Sequence, residues 1–160
     1  MGRSTQLTGA AGEHFVMYEL LRRDFIAALT PLRADNIDIL ISDIDGSSLA
    51  GIQVKAMSEP GRKWQMSKKH EKVAHERLFY CFLRPEAENL GKPECWIMPS
   101  RVVAEHIALS HAAWLQGIPL RGSSRKDGSR RSMHFSCEPL DKYPSGWLDE
   151  YRSNWELLRA

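Results

Sequence analysis

Two charged residues interrupt short apolar runs: Asp38 in Ile37-Asp38-Ile39-Leu40-Ile41 and Lys55 in Ile52-Gln53-Val54-Lys55-Ala56. Both runs read as strands of a central sheet. A charge in such a run costs free energy unless it is paired, solvated in a cleft or bound to a metal. Side chains alternate along a strand, so Gln53 and Lys55 point the same way. Asp45-Gly46-Ser47-Ser48 marks a turn between the two strands and predicts that they pair as a hairpin. That pairing would bring an acid, an amide oxygen and an ammonium to one patch of sheet.

Hydrolysis of a phosphodiester calls for this set. A divalent cation polarises the phosphate and lowers the pKa of a water. Magnesium takes oxygen ligands and one or two carboxylates. An ammonium orients the water or offsets charge building on the phosphate. Asp38 offers one carboxylate, the Gln53 side chain and the Val54 main-chain carbonyl offer neutral oxygens, and Lys55 offers the ammonium. Glu13, after Gly9-x-x-Gly12 at the start of the first expected helix, is the candidate second carboxylate. Each has a plainer reading. Glu13 also fits an acid at a helix N-terminus, favourable to the dipole, and Gln53 a strand amide. Asp35, Asp43 and Asp45 read as turn residues.

The elements that must position these groups follow from periodicity and turn residues. A helix is expected from about Glu13 to Phe25, with Phe15, Tyr18, Leu21 and Phe25 as its buried stripe. Strands are expected at 27–32, 37–42 and 49–56. A helix capped by Ser67 runs to about Glu76. Strands follow at 78–83 and 95–98, then a helix from Ser100 to about Gln116, a short strand at 133–137 and a closing helix over 148–158. Residues 1–8 are expected to be loose, and residues 117–132, rich in Gly, Ser and Arg, to form a mobile basic loop. The pattern is α/β, with a mixed sheet because the central hairpin is antiparallel. The 160 residues are expected to form a single domain.

Gly12-Glu13, then Asn36-Ile37-Asp38-Ile39-Leu40-Ile41, then Ile52-Gln53-Val54-Lys55 resembles the PD-(D/E)XK nuclease superfamily, and within it small bacterial proteins similar to Holliday junction resolvases. Segments 63–71 and 96–104 and the closing Trp155-Glu156-Leu157-Leu158 extend the resemblance over most of the chain. It implies a restriction-endonuclease-like core in the order αβββαβ, here with a C-terminal helical extension. It implies catalytic roles for Asp38, Gln53, Lys55 and Glu13, magnesium or manganese as cofactor, DNA as substrate, a 5′-phosphate product and a homodimer. Two positions depart from the commonest pattern. Gln53 stands where Asp or Glu is usual, which weakens metal binding, and Ile37 stands where the superfamily takes its Pro.

The wider composition narrows the alternatives. Apolar residues make up 42% and charged residues 26% of the chain, as in ordinary globular proteins. No apolar run approaches the ~20 residues a membrane span needs, and residues 1–12 lack the apolar core of a signal peptide. The cysteines Cys81, Cys95 and Cys137 form no metal or disulfide pattern, so a reducing cytoplasm is the expected compartment. The net charge of +2 says little, but its distribution says more. Arg62, Lys63, Lys68, Lys69 and Lys72 form one basic cluster. Arg121, Arg125, Lys126, Arg130 and Arg131 form a second. Either is a solvated face or a neutraliser of phosphates. The leading expectation is therefore a metal-dependent DNA endonuclease, acting on branched or structured DNA. The alternative is the same fold with weak or lost catalysis, binding nucleic acid or a protein partner.

Overall fold

The computed structural model describes residues 4–31, 34–86, 91–117, 124–137 and 140–159. Helix α1 (Thr5–Leu21) leads into strands β1 (Phe25–Leu29), β2 (Ile39–Asp43) and β3 (Leu49–Ala56). Strand β4 (Lys63–Ser67) and a single 3-10 turn (Lys68–Lys72) precede β5 (Leu78–Arg84) and β6 (Glu94–Pro99). Helix α2 (Ser100–Gln116), strand β7 (Arg130–His134) and two short 3-10 turns, Asp149–Tyr151 and Trp155–Leu158, complete the order.

The central sheet has five strands in the order β1-β2-β3-β5-β6. β1, β2 and β3 form an antiparallel meander, β3 runs parallel to β5, and β5 and β6 are antiparallel. A mixed sheet flanked by helices is thus present, as expected. Alternation along the strands sorts side chains onto its two faces. Ile39, Ile41, Ile52, Val54, Cys81 and Leu83 pack with Val16 and Leu20 of α1 and with Trp155 and Leu158. Tyr80, Phe82, Trp96 and Met98 face the other way, against Val103 and Ile107 of α2 and a second, two-stranded sheet of β4 and β7. Trp64 of β4 fastens this ribbon by donating its indole N–H to the Leu83 carbonyl at 2.9 Å. The second layer covers β5 and β6 but stops at β3. Beyond it Ile26, Leu40 and Leu49 are exposed.

Several elements differ from the sequence expectation. α1 starts at Thr5, so residues 5–8 are helical rather than loose. Its buried stripe is Gly12, Val16, Glu19 and Leu20, while Tyr18 and Leu21 face solvent. This face lies inward because Gly12 lets the helix approach the sheet. A Cβ there would stand 3.1 Å from Ala56 Cβ and 3.1 Å from Leu83 Cδ1. The buried Glu19 is held by Arg23 at 2.5 Å and by Lys92 at 3.3 Å. Asp24, at φ 62°, ends the helix one turn short of Phe25, which starts β1. Of the helix expected over 67–76 only the 3-10 turn Lys68–Lys72 forms, with Ser67 at its N-cap, and Ser67 itself ends β4, which finds its partner in β7. The closing helix is likewise two 3-10 turns, interrupted by Ser153 at φ 50°. In the expected mobile segment, 118–123, with Arg121, lies outside the described residues, and Arg130–His134 is strand. Among the described residues no helix is long and apolar enough to cross a membrane.

Close approach at Gly12 and open space at Gly9 give opposite expectations for two helix substitutions. Gly12→Val should destabilise the protein by about 1–3 kcal/mol through overpacking. Gly9→Ala, where a Cβ meets nothing within 4 Å, should stabilise it by about 0.5–1 kcal/mol. Denaturant unfolding of the two variants beside the parent checks both signs.

Candidate functional site

Asp38 stands one residue ahead of β2, yet its main chain is tied to β3 on one side and to Thr30, just past β1, on the other. Its N–H donates to the Ile52 carbonyl at 2.8 Å, and its carbonyl accepts from Thr30 N–H at 2.9 Å. Thr30 Oγ1 also donates to the Ile37 carbonyl at 2.7 Å. The turn at 35–36 that delivers Asp38 there uses Asn36 at φ 67°, a conformation asparagine tolerates better than most residues. Pairing of Ile39 with Ile52 and Leu40 with Gly51 fixes the register. That register turns Asp38, Gln53 and Lys55 toward the second face of the sheet, where the covering layer ends.

One oxygen of Asp38 organises the site. Oδ2 accepts from Gln53 Nε2 at 2.7 Å and from the Val54 N–H at 2.7 Å. Gln53 is 8% exposed, and its side-chain N–H group is committed to the carboxylate, which leaves Oε1 as the acceptor facing out. Lys55 is two residues along. Burial pushes its ammonium pKa down and Asp38 opposes that shift, while Lys69 adds to it. Glu13 joins from α1, set at the sheet by the close approach of Gly12. Burial raises its carboxyl pKa and the Asp38 charge raises it further, with His14 opposing. Two carboxylates that feel one another, an amide oxygen and a lysine thus share one electrostatic neighbourhood.

Among the described residues no group of three His, Cys, Asp or Glu side chains gathers at metal-binding distance. The donors are instead two carboxylates with neutral oxygens beside them. This all-oxygen set suits a hard cation that keeps much of its water shell. Asp38, Glu13, the Gln53 amide oxygen and the Val54 carbonyl are the groups that could hold such an ion.

His70 is a further member of this neighbourhood, one that the sequence did not single out. It is 4% exposed and caps its own 3-10 turn, with Ser67 N–H donating to Nδ1 at 3.1 Å. Burial lowers its pKa to about 4, with Lys55 adding to the shift. It therefore stays neutral beside that lysine at neutral pH. Nε2 is buried with no hydrogen-bond partner among the described residues, as is the hydroxyl of Tyr80, whose ring lies edge-on at 6.0 Å. Tyr80 pairs with Gln53 across the parallel ladder. The sequence signal was faint: a Ser three residues before a His.

The expected nucleic-acid-binding residues separate into two kinds. Arg62, Lys63, Lys126 and Arg130 are exposed. Arg131 is buried and paired with Glu71 and Asp127, so it holds the ribbon to its neighbours. Lys68 is paired with Asp127 at 2.6 Å and Lys69 with Asp35 at 3.9 Å. Arg125 donates to the Trp114 carbonyl and stacks on its ring.

No protein-family model matches the chain, and no curated protein matches it by sequence. Solved structures do. The bacterial homing endonuclease I-Ssp6803I is similar over 99% of this chain and 94% of its own, at 17% identity and a TM-score of 0.55. Hjc, a Holliday junction resolvase from Archaeoglobus fulgidus, aligns over 82% of this chain and 88% of its own, at 15% identity and a TM-score of 0.46. The chain shares its overall fold with the homing endonuclease.

The raised Glu13 carboxyl has a consequence for stability. Because the folded protein holds this proton more tightly than the unfolded chain, ionised Glu13 opposes folding above the usual carboxylate range. The penalty vanishes as pH falls below that range. Glu13→Gln should therefore raise the melting temperature at neutral pH without added cation, and the gain should disappear in acid. Thermal melts of the two proteins across pH check the sign.

Proposed function

We propose that this protein hydrolyses DNA phosphodiester bonds with magnesium or manganese, using Asp38, Gln53, Lys55 and Glu13. The observation that carries this reading is the Asp38 carboxylate, one oxygen of which is bound by Gln53 and Val54 while Lys55 and Glu13 share its field. The fold supports the same reading.

When bound, the cation would polarise the scissile phosphate and acidify a water. Asp38, the Val54 carbonyl, Gln53 and Glu13 would hold it. The chain's own residues do the rest. Gln53 Nε2 and the Val54 N–H hold Asp38 in place through Oδ2, which leaves its other oxygen, Oδ1, for the cation with no reorganisation at the moment of reaction. Lys55 is the one ammonium aimed at this patch from the strand itself. It orients the attacking water and offsets negative charge growing on the phosphate. Its lowered pKa weakens its hold on its proton, which suits a group exchanging protons with water. Neutral His70 behind it adds no repulsion.

Gln53 tunes the site. As an amide it donates to Asp38 and needs no counter-charge; as an acid it would repel Asp38 until a cation joined them.

Cleavage of labelled DNA in magnesium or manganese tests the proposal. Asp38→Ala should reduce cleavage to background, as should a chelator. Lys55→Ala should slow it by about a hundred- to a thousand-fold. Cleavage that survives both substitutions would overturn the reading. Gln53→Glu should lower the melting temperature in chelator and tighten magnesium binding by about ten-fold, measured by calorimetric titration.

A further inference from the structure

On the far side of the second layer lies a cleft of about 1180 Å³, floored by the β4–β7 ribbon and walled by the C-terminal part of α2. Its charge is one-sided. The described lining residues include Arg62, Lys63, Arg84, Arg125, Arg130 and Arg131, and no aspartate or glutamate. The whole chain has 20 acidic residues against 22 basic ones, so this segregation is not a by-product of composition.

The ribbon explains how the cleft is built. Trp64, Met66, Arg131 and Met133 are its buried positions. The alternate positions pair Lys63 with His134, Gln65 with Ser132 and Ser67 with Arg130. That outward face carries cations and hydrogen-bonding groups only. The cations divide by availability. Arg131 is spent on Glu71 and Asp127, and Arg84 on Glu94. Arg62, Lys63 and Arg130 are exposed and make no ion pair among the described residues. Asp127, three residues before Arg130, is already shared by Lys68, His111 and Arg131.

A wide trough whose charged lining is cationic throughout suits a polyanion. The cleft is also continuous with the candidate active site through the chain. The Ser67–Arg130 end of the ribbon leads directly into the 3-10 turn that carries Lys69 and His70, both of which act electrostatically on or with Lys55.

We infer that the outward face of the β4–β7 ribbon binds the phosphodiester backbone of a DNA strand that continues past the active site, through Arg62, Lys63 and Arg130. The inference rests on the nuclease reading for the identity of the polymer. It adds a holding site separate from the hydrolytic groups. Contacts of this kind position the substrate and carry no sequence information.

Binding of a labelled DNA single strand and of its duplex, followed by anisotropy in chelator over a range of salt, tests the inference without any cleavage. The triple variant Arg62→Gln, Lys63→Gln, Arg130→Gln is compared with a control that loses three cations elsewhere: Arg22→Gln, Lys142→Gln, Arg152→Gln. Each phosphate contact removed should flatten the dependence of log affinity on log salt by about 0.9 on duplex and about 0.7 on single strand. The cleft variant should flatten it by about 2–3 while the control follows the parent. An effect confined to one probe identifies that form of DNA as the source of the strand. Lys63→Gln alone, flattening it by about one contact, keeps the test readable if the triple variant melts early. Parental affinity and slope in both cleft variants, or an equal loss in the control, would overturn the inference. Loss of binding in the cleft variants of a protein that cleaves nothing would leave the inference standing and remove the nuclease reading alone.

Discussion

The sharing of one Asp38 oxygen between the Gln53 amide and the Val54 main chain is the interaction on which the site depends. It occurs where β2 has not yet begun as regular strand, so Asp38 is placed by hydrogen bonds to Thr30, just past β1, and to β3 rather than by its own ladder. The Gln53 and Val54 donors keep the half-buried carboxylate oriented. The sheet register, the left-handed turn at Asn36 and the Thr30 hydroxyl all serve this one placement.

The second constraint is the incomplete cover of the sheet. One face is packed by α1 and the C-terminal turns; the other is packed only over β5 and β6. Gln53 and Lys55 lie at the step where cover ends. There they are buried enough to be perturbed and open enough to meet solvent. A completely covered sheet would force Lys55 to give up its charge, and a bare one would leave it an ordinary surface lysine. The shift in its pKa is the mark of the intermediate position.

Much of this was legible from residue types. The alternation of Gln53 and Lys55, the turn at 45–48 and the apolar runs around Asp38 define the hairpin, because local pairing leaves a local pattern. The ribbon was not legible in the same way. Lys63-Trp64-Gln65-Met66-Ser67 alternates as a strand should, but its partner is remote in sequence and a lysine-rich stretch after a capping serine imitates a helix start. Trp147, Tyr151 and Trp155 are spaced as a helix would space them, and burial of the first and last turns satisfies that spacing without a helix, since Ser153 breaks the run. Glu13 was found for its position after Gly12, while the reason it matters, the contact of that glycine with Ala56 and Leu83, is a tertiary fact. His70 could be weighed only once Lys55 stood beside it.

The connectivity of the ribbon sets an order on how the molecule comes together. β1, β2 and β3 are joined by short links, so they can associate early at little loop-closure cost. β4 cannot complete its pairing until β7 arrives, with β5, β6 and α2 lying between them in the chain. Trp64 and its indole bond to Leu83 then have to wait for the same event. Asp38, Gln53 and Lys55, carried by the meander, would thus be in place before the second layer closes. A chain interrupted ahead of β7 would retain the meander and lack the ribbon pairing.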